Sequence, residues 1–254
     1  NIGHEIHCGD VWGQLDTLPK KADLVIGGFP CQDISVNGKM AGLEGKRSGL
    51  YKAMVEVVSR VKPKVFVAEN VKGLMTDDRK YLKVIAGEFE ALGYDVSAKL
   101  YLAADYGVPQ MRQRVFIVGT SRKDGIKPFV HPEAILEEAE WVTAKEAIGD
   151  LESAPESKET NHTWSRAESS PEQGCRKLKS DRPSATIRAE CHGNIQWHYS
   201  KPRRLSMREA ARIQTFPDAF RFGAGLRETE RMVGNAVPPV LAWQIANAVR
   251  DCLL

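Results

Sequence analysis

Cysteine is scarce in this sequence and poorly spaced for pairing. Its five residues, Cys8, Cys31, Cys175, Cys191 and Cys252, are odd in number and form no CxxC pair, so neither a disulfide framework nor a zinc finger is expected. No metal site is expected from Cys191, His192 and His198, whose spacing fits no common zinc pattern. Long apolar runs are lacking too. None approaches the roughly 18 residues of a membrane span, and no signal peptide is visible, so a membrane or secreted protein is not expected. A reducing cytoplasm fits best. Internal repeats are absent, and net charge is small, +3, which excludes a uniformly basic or acidic chain.

What is present suits an ordinary globular protein of one large domain or two unequal ones, with 42% hydrophobic and 27% charged residues over 254 positions. The charge is unevenly placed. Residues 132–160 hold nine acidic and two basic side chains, whereas residues 175–204 hold eight basic and two acidic. Asn194, Gln196, Trp197, His198 and Tyr199 lie among the basic residues of the second stretch, as a surface contacting both phosphates and bases requires; an ordinary solvated loop is the alternative.

The stretch DLVIGGFPCQ, residues 23–32, organises the rest. Leu24, Val25 and Ile26 form a short apolar run, two of its three residues β-branched, ending at Gly27 and Gly28, which reads as a buried strand closing in a tight loop. The glycines let the backbone approach another molecule and Pro30 fixes its own φ, so Cys31 sits on a constrained shelf at a strand's C-terminal end. Such a thiol suggests a nucleophile. Taken alone, a lone cysteine is more often a small buried apolar residue, and the residues downstream are what favour the nucleophile.

Along the chain, residues 4–8 suggest a short edge strand and 11–18 a helical turn ended by Pro19. Residues 33–49 form a long polar, glycine-spaced loop of the kind that carries function. An amphipathic helix is expected over 50–60, closed by Pro63, then a buried strand over 64–70 ending in Glu69 and Asn70. A second helix over 81–92 and strands near 96–102 and 114–119 follow. Strands alternating with helices imply a parallel sheet with helices on both faces, with ligands at the carboxyl ends where Asp10, Cys31 and Glu69 fall. Residues 121–202 lose periodicity and suggest a smaller module. Ser206 with Glu209 is a capping box opening a helix over 207–215, on which Arg204, Arg208 and Arg212 form a row at four-residue spacing. An apolar helix over 240–253 ends the chain.

Gly28-Phe29-Pro30-Cys31-Gln32, Glu69-Asn70-Val71, Gln110-x-Arg112-x-Arg114, RLSMREAARIQTFP at 204–217 and Gly234-Asn235-Ala236-Val237-Pro238-Pro239 occur in the order and approximate spacing of the DNA (cytosine-5) methyltransferases. The chain resembles that family over nearly its whole length except the variable middle. The resemblance implies an α/β, Rossmann-like S-adenosylmethionine-dependent methyltransferase sheet, incomplete at its N-terminus, with a second, smaller DNA-recognition domain. Residues 1–120 would be the catalytic domain, 121–228 the target-recognition domain with its connecting helix, and 229–254 a helix returning to the catalytic domain.

The implied reaction moves a methyl group from S-adenosylmethionine to carbon 5 of a flipped cytosine in a short double-stranded DNA target, as in bacterial restriction-modification systems. Cys31 matches the nucleophile that adds to carbon 6, Glu69 the acid at N3 and the exocyclic amine, and Arg112 with Arg114 the cations beside the ring. Ser35, Asn37 and Lys39 match a mobile loop closing over the base, with Asn37 at a position where members carry various small polar residues. Thr186 matches a DNA-contacting threonine, followed by Ile187 where an aliphatic residue, often Leu, is usual. Arg204 and Arg208 would present a basic face to phosphates. Asp10 and Val11 match the Gly-Asp-Ile motif at the cofactor's adenine; Pro30, Leu50, Asn235 and Ala236 match other cofactor contacts. No metal is implied, and the expected location is the bacterial cytoplasm, at the nucleoid.

One departure stands out. The family's Phe-x-Gly-x-Gly motif and the acidic residue after its second strand are absent, and their place would precede Asn1. The expectation is that this βαβ unit lies on a second polypeptide, was removed, or was not included. Two readings stay open: an enzyme completed by that unit, and a noncatalytic DNA-binding relative that has lost cofactor binding. A relative acting on tRNA is a lesser third.

Overall fold

The computed structural model describes residues 3, 6–29, 50–76, 80–166, 176–189 and 196–254. The chain forms two compact units that interleave along it: a first unit of Gly3–Tyr101, Gln113–Pro132 and Ile245–Leu254, and a second containing Leu102–Arg112 and Glu133–Gln244. The sequence reading expected residues 1–120 and 121–228 as two blocks, with 229–254 returning to the first; in the structure Ile245–Leu254 belongs to the first unit. Among the described residues no helix is long and apolar enough to cross a membrane.

In the first unit, β1 (Leu24–Gly28), β2 (Val65–Val71), β3 (Tyr94–Leu102) and β4 (Gln113–Ser121) form one sheet in the order β1-β2-β4-β3. Four of the first five residues of β2 are valine, phenylalanine or alanine, and the strand is buried on both faces, as a central strand requires. β1 runs parallel to it, with Leu24 opposite Val65 and Gly28 opposite Glu69. Among the described residues β1 borders β2 alone and leaves Ile26 73% exposed.

β4 departs from the parallel sheet expected. It runs antiparallel to β2, from Val65 opposite Thr120 to Val71 opposite Arg114. The segment 103–112 between β3 and β4 holds a 3₁₀ turn at Ala103–Tyr106 and no crossover helix of the kind a parallel return needs. The edge strand expected near residues 4–8 is absent from Ile6–Cys8, which is irregular and exposed; residues 4 and 5 lie outside the described set.

Helices α2 (Tyr51–Val61) and α3 (Lys80–Ala91) cover the sheet, while α1 (Val11–Gln14) is a single turn. Tyr51, Met54 and Val58 of α2 and Leu82, Ile85 and Phe89 of α3 pack with Phe66, Ala68, Val115 and Ile117 of the strands. Lys62, at φ 50°, ends α2 by donating its amide to Val58 O at 2.9 Å just before Pro63. Gly119 on β4 makes room for the ring of Phe66, whose Cε1 would lie 2.0 Å from an added Cβ.

The second unit has α4 (Ala144–Ile148), α5 (Met207–Ile213), α6 (Leu226–Asn235) and the beginning of α7 (Pro239–Leu253), whose residues from Ile245 belong to the first unit. Its core joins Ile148, Leu178, Ile187, Leu205, Met207, Ile213, Phe222 and Val233. The Ser206–Glu209 capping box expected from sequence opens α5. The helix stops at Ile213 and not at Thr215, because Thr215 turns left-handed at φ 65°; its amide then bonds Arg212 O and that of Phe216 bonds Ala211 O.

Behind α5 lies a buried polar cluster. Glu209 accepts two hydrogen bonds from Arg203, at 2.7 and 2.8 Å, and one from the amide of Ser206, with His198 Nε2 3.6 Å away. Ser206 Oγ meets His162 Nδ1 at 2.9 Å. Burial pushes the pKa of both His162 and His198 below 6.5; Glu209 pulls each up and Arg203 pushes each down. Both imidazoles are therefore neutral near neutrality.

Two expectations follow. Gly119→Ala must displace Phe66 and should lower stability by roughly 1–3 kcal/mol, read as a lower urea midpoint. Because the unfolded chain takes up protons on His162 and His198 before the folded one does, stability should hold above pH 6.5 and fall as pH drops below it. Urea titrations at about pH 7.5 and about pH 5.5 should show that loss, and a His162→Gln/His198→Gln variant should lose less over the same range.

Candidate active site

The site is built first from backbone. Gly28 lies opposite Glu69 across the parallel pair, and a Cβ there would stand 3.4 Å from Glu69 Oε2. Asn70, buried, donates from Nδ2 to Phe29 O at 3.1 Å while its Oδ1 accepts the amide of Val71 at 2.8 Å. Phe29, between the end of β1 and Pro30, is thus tied to the end of β2. The phenyl ring of Phe29 also packs on Tyr51, centroids 6.3 Å apart, and Tyr51 Oη donates to Glu88 at 2.7 Å. Pro30, Cys31, Ser35, Asn37 and Lys39 lie outside the described residues.

Glu69 and Arg114 form an ion pair, Nε to Oε1 2.8 Å, with side chains 19% and 15% exposed. The register explains it. Glu69 faces Phe116 across the antiparallel ladder, so Arg114, two residues away on the same face, is its diagonal neighbour within reach of a long side chain. Burial pushes the Arg114 pKa down and the Glu69 charge opposes that shift. The result is a fixed cation and a fixed acceptor side by side at the sheet's end.

Arg112 does not join them. It belongs to the second unit, is fully buried, and donates to Ile187 O at 3.1 Å, Gly234 O at 2.9 Å and Ala236 O at 3.0 Å. The expected pair of site arginines therefore separates into one beside Glu69 and one among backbone carbonyls. Thr186, half-buried, donates its hydroxyl to Met111 O at 2.9 Å.

The arginines of the expected basic face, Arg204 and Arg208, are buried in this structure. Arg204 is 4% exposed and stacks over Trp197 at 4.7 Å. Arg208, also buried, donates to the carbonyls of Thr160, Pro217 and Phe220. Arg212 is held by Asp150 and Asp218. In this structure Arg204 packs on a ring, while Arg208 and Arg212 meet acceptors of the fold.

Of the residues expected at the cofactor, Asp10 caps α1 by accepting the amide of Trp12 at 2.9 Å, and Val11 and Trp12 beside it are exposed. An exposed carboxylate next to apolar side chains fits an adenine and its exocyclic amine. Leu50 precedes α2; Asn235 ends α6, and the amide of Ala236 donates to Met232 O at 3.1 Å. Asp10, Val11 and Leu50 belong to the first unit, Asn235 and Ala236 to the second.

Sequence reasoning passed over Asn70 and Gly28 as site residues, and over Gln110 and Gln214, both fully buried and joined at 2.6 Å. All four lie inside motifs already quoted, and an amide or glycine at a fixed place in such a motif was the available signal.

A sequence model of the C-5 cytosine-specific DNA methylases matches residues 1–181 and 166–251. The chain is 38% identical to the type II methyltransferase M.NgoFVII of Neisseria gonorrhoeae, across 98% of this chain and 75% of that protein. It is 36% identical to type II methyltransferase M.BbvI of Brevibacillus brevis, across 95% and 74%. In structure it is similar to a protein of an Escherichia coli prophage assigned as a DNA modification methyltransferase, with a TM-score of 0.68 at 23% identity over 91% of this chain and 79% of the other. With its mixed sheet, its Glu69–Arg114 pair and these matches, the chain belongs to the C-5 cytosine-specific DNA methylase family of methyltransferase enzymes.

Proposed function

We propose that this chain methylates carbon 5 of a cytosine flipped out of a short double-stranded DNA target, through a transient covalent bond to Cys31, as the modifying partner in a bacterial restriction-modification system. The observation that carries this reading is the Glu69–Arg114 pair beside the glycine backbone and Asn70 clamp that lead into Cys31. A module that only bound DNA would have no use for that arrangement.

Carbon 5 of cytosine is a poor nucleophile. Addition of the Cys31 thiolate to carbon 6 forms an S–C bond and displaces the C5–C6 π pair toward carbon 5. Glu69 accepts an N–H from the exocyclic amine, and Arg114 offers its charge to O2, where electron density rises as the thiolate adds. S-adenosylmethionine supplies an electrophilic methyl group when bound; Asp10, Val11, Pro30, Leu50, Asn235 and Ala236 are the residues assigned to hold it. When water takes the C5 proton of the methylated ring, the C5–H pair re-forms the C5–C6 double bond and expels the Cys31 thiolate. These atoms are hidden in a base pair, so the base must leave the helix, with Ser35, Asn37 and Lys39 closing over it. Thr186 and the variable stretch 121–202 are assigned to reading the target.

DNA substituted with 5-fluorocytosine tests the covalent step, because fluorine cannot leave as the C5 proton does. With S-adenosylmethionine present, the protein should give a denaturation-resistant adduct that Cys31→Ala does not form. Persistence of the adduct in Cys31→Ala would reassign the nucleophile. Glu69→Gln replaces the charged acceptor that faces Arg114 and the amine by a neutral amide, and Arg114→Met removes the cation. Each should slow single-turnover methylation by about 10²–10³-fold, the usual loss for one preorganised electrostatic group. A loss under about tenfold in both would mean that the pair only braces the sheet.

A further inference from the structure

In the second unit, three fully buried polar side chains close on two separate pieces of backbone. Gln110 Oε1 accepts the amide of Ile187 at 2.9 Å, and Arg112 Nη1 donates to the carbonyl of the same residue at 3.1 Å, so Ile187 is gripped on both sides. Arg112 Nη2 reaches the carbonyls of Gly234 and Ala236 at 2.9 and 3.0 Å, and Gln214 Nε2 those of Val233 and Ala236, each at 2.8 Å. Gln110 Nε2 donates to Gln214 Oε1 at 2.6 Å and joins the two halves. The gripped carbonyls at the end of α6 carry partial negative charge that a cation offsets.

The two backbone pieces also touch. A Cβ on Gly234 would lie 2.4 Å from Arg188 C and from Ala189 N, so only glycine lets the end of α6 meet segment 186–189. That segment carries Thr186, assigned to DNA, while the end of α6 carries Asn235 and Ala236, assigned to the cofactor.

We infer that Arg112, with Gln110 and Gln214, is a positioning residue that locks the target-reading segment 186–189 to the cofactor turn at Gly234–Ala236, and is not a group that acts on the cytosine. The inference rests on the proposed methylation. Its mark is that one substitution disturbs two binding functions together. Arg112→Met should raise KM for DNA and for S-adenosylmethionine each by at least about tenfold, and erode discrimination against targets with one changed base pair. The single-turnover rate at saturation should fall by no more than about threefold, in contrast to Arg114→Met. Arg112→Lys, which keeps the charge but not the planar fork, should restore part of the binding.

Amide hydrogen exchange on the protein without DNA or cofactor reads the lock without any catalysis. Arg112→Met and Gln214→Leu should each speed exchange at both 186–189 and 234–236, and the double variant should add little to either single one. Faster exchange at one segment alone, or a saturated rate reduced about a hundredfold with both KM values unchanged, would overturn the inference. If Arg112→Met does not fold, the same comparison is made with Arg112→Lys and Gln214→Leu. Coupled exchange in a wild-type protein that methylates nothing would count against the proposed function and not against the lock.

Discussion

The Glu69–Arg114 pair depends on one choice of direction. Because β4 returns antiparallel to β2, its first residues lie beside the last residues of β2, and Arg114 comes to the end of the sheet where Gly28, Glu69 and Asn70 stand. A parallel β4 would begin at the opposite end, and at roughly 3.3 Å per residue the guanidinium would be about 20 Å away. The pair is also poised by its half-enclosed setting. Deeper burial would charge both groups a desolvation cost that their attraction barely repays, and full exposure would let water screen them. With side chains 19% and 15% exposed, they keep most of their mutual field and stay open to a ligand.

The second unit solves a different problem. Beyond Leu102, the last residue of β3, its described residues form only isolated bridges such as Gln110–Ser184 and Trp197–Arg204, so many backbone groups lack a ladder. Buried side chains take over: Arg112, Gln110, Gln214, Gln196 and Arg208 between them satisfy carbonyls or amides at Ala185, Thr186, Ile187, Thr160, Phe220 and Val233. Left unmet, each such group would cost on the order of 1–3 kcal/mol. Segments of irregular backbone can be held this firmly only where long polar side chains are spared for the purpose.

How far the sequence reveals this varies with the distance over which the cause acts. The run VFVAEN and the Ser206–Glu209 box declared their elements, because hydrophobic pattern and capping are local; so did the glycine pair ending β1. Helix α6 was passed over because Arg227, Glu228, Glu230 and Arg231 obscure the thin apolar line of Leu226 and Val233. The direction of β4 was misread since side-chain alternation is the same in either sense. Arg204 and Arg208 looked like a phosphate-facing row. Their spacing is local, but the acceptors and ring that bury them lie at Thr160, Trp197, Pro217 and Phe220, beyond any periodicity argument. Gln110 and Gln214 meet across 104 positions, which no window could pair.

Thr215 shows where local preference and global design part. The end of α5 needs a left-handed residue, and glycine would adopt that conformation without strain, whereas a β-branched side chain at φ 65° costs roughly 1–2 kcal/mol. Threonine is there with its hydroxyl accepting the amide of Val240 at 3.2 Å, in the first turn of α7, where no helical carbonyl is available to that donor. One side chain therefore terminates one helix and starts another. A search for stabilising substitutions guided by backbone geometry alone would select this position first, and would detach α7 from its cap in the same step.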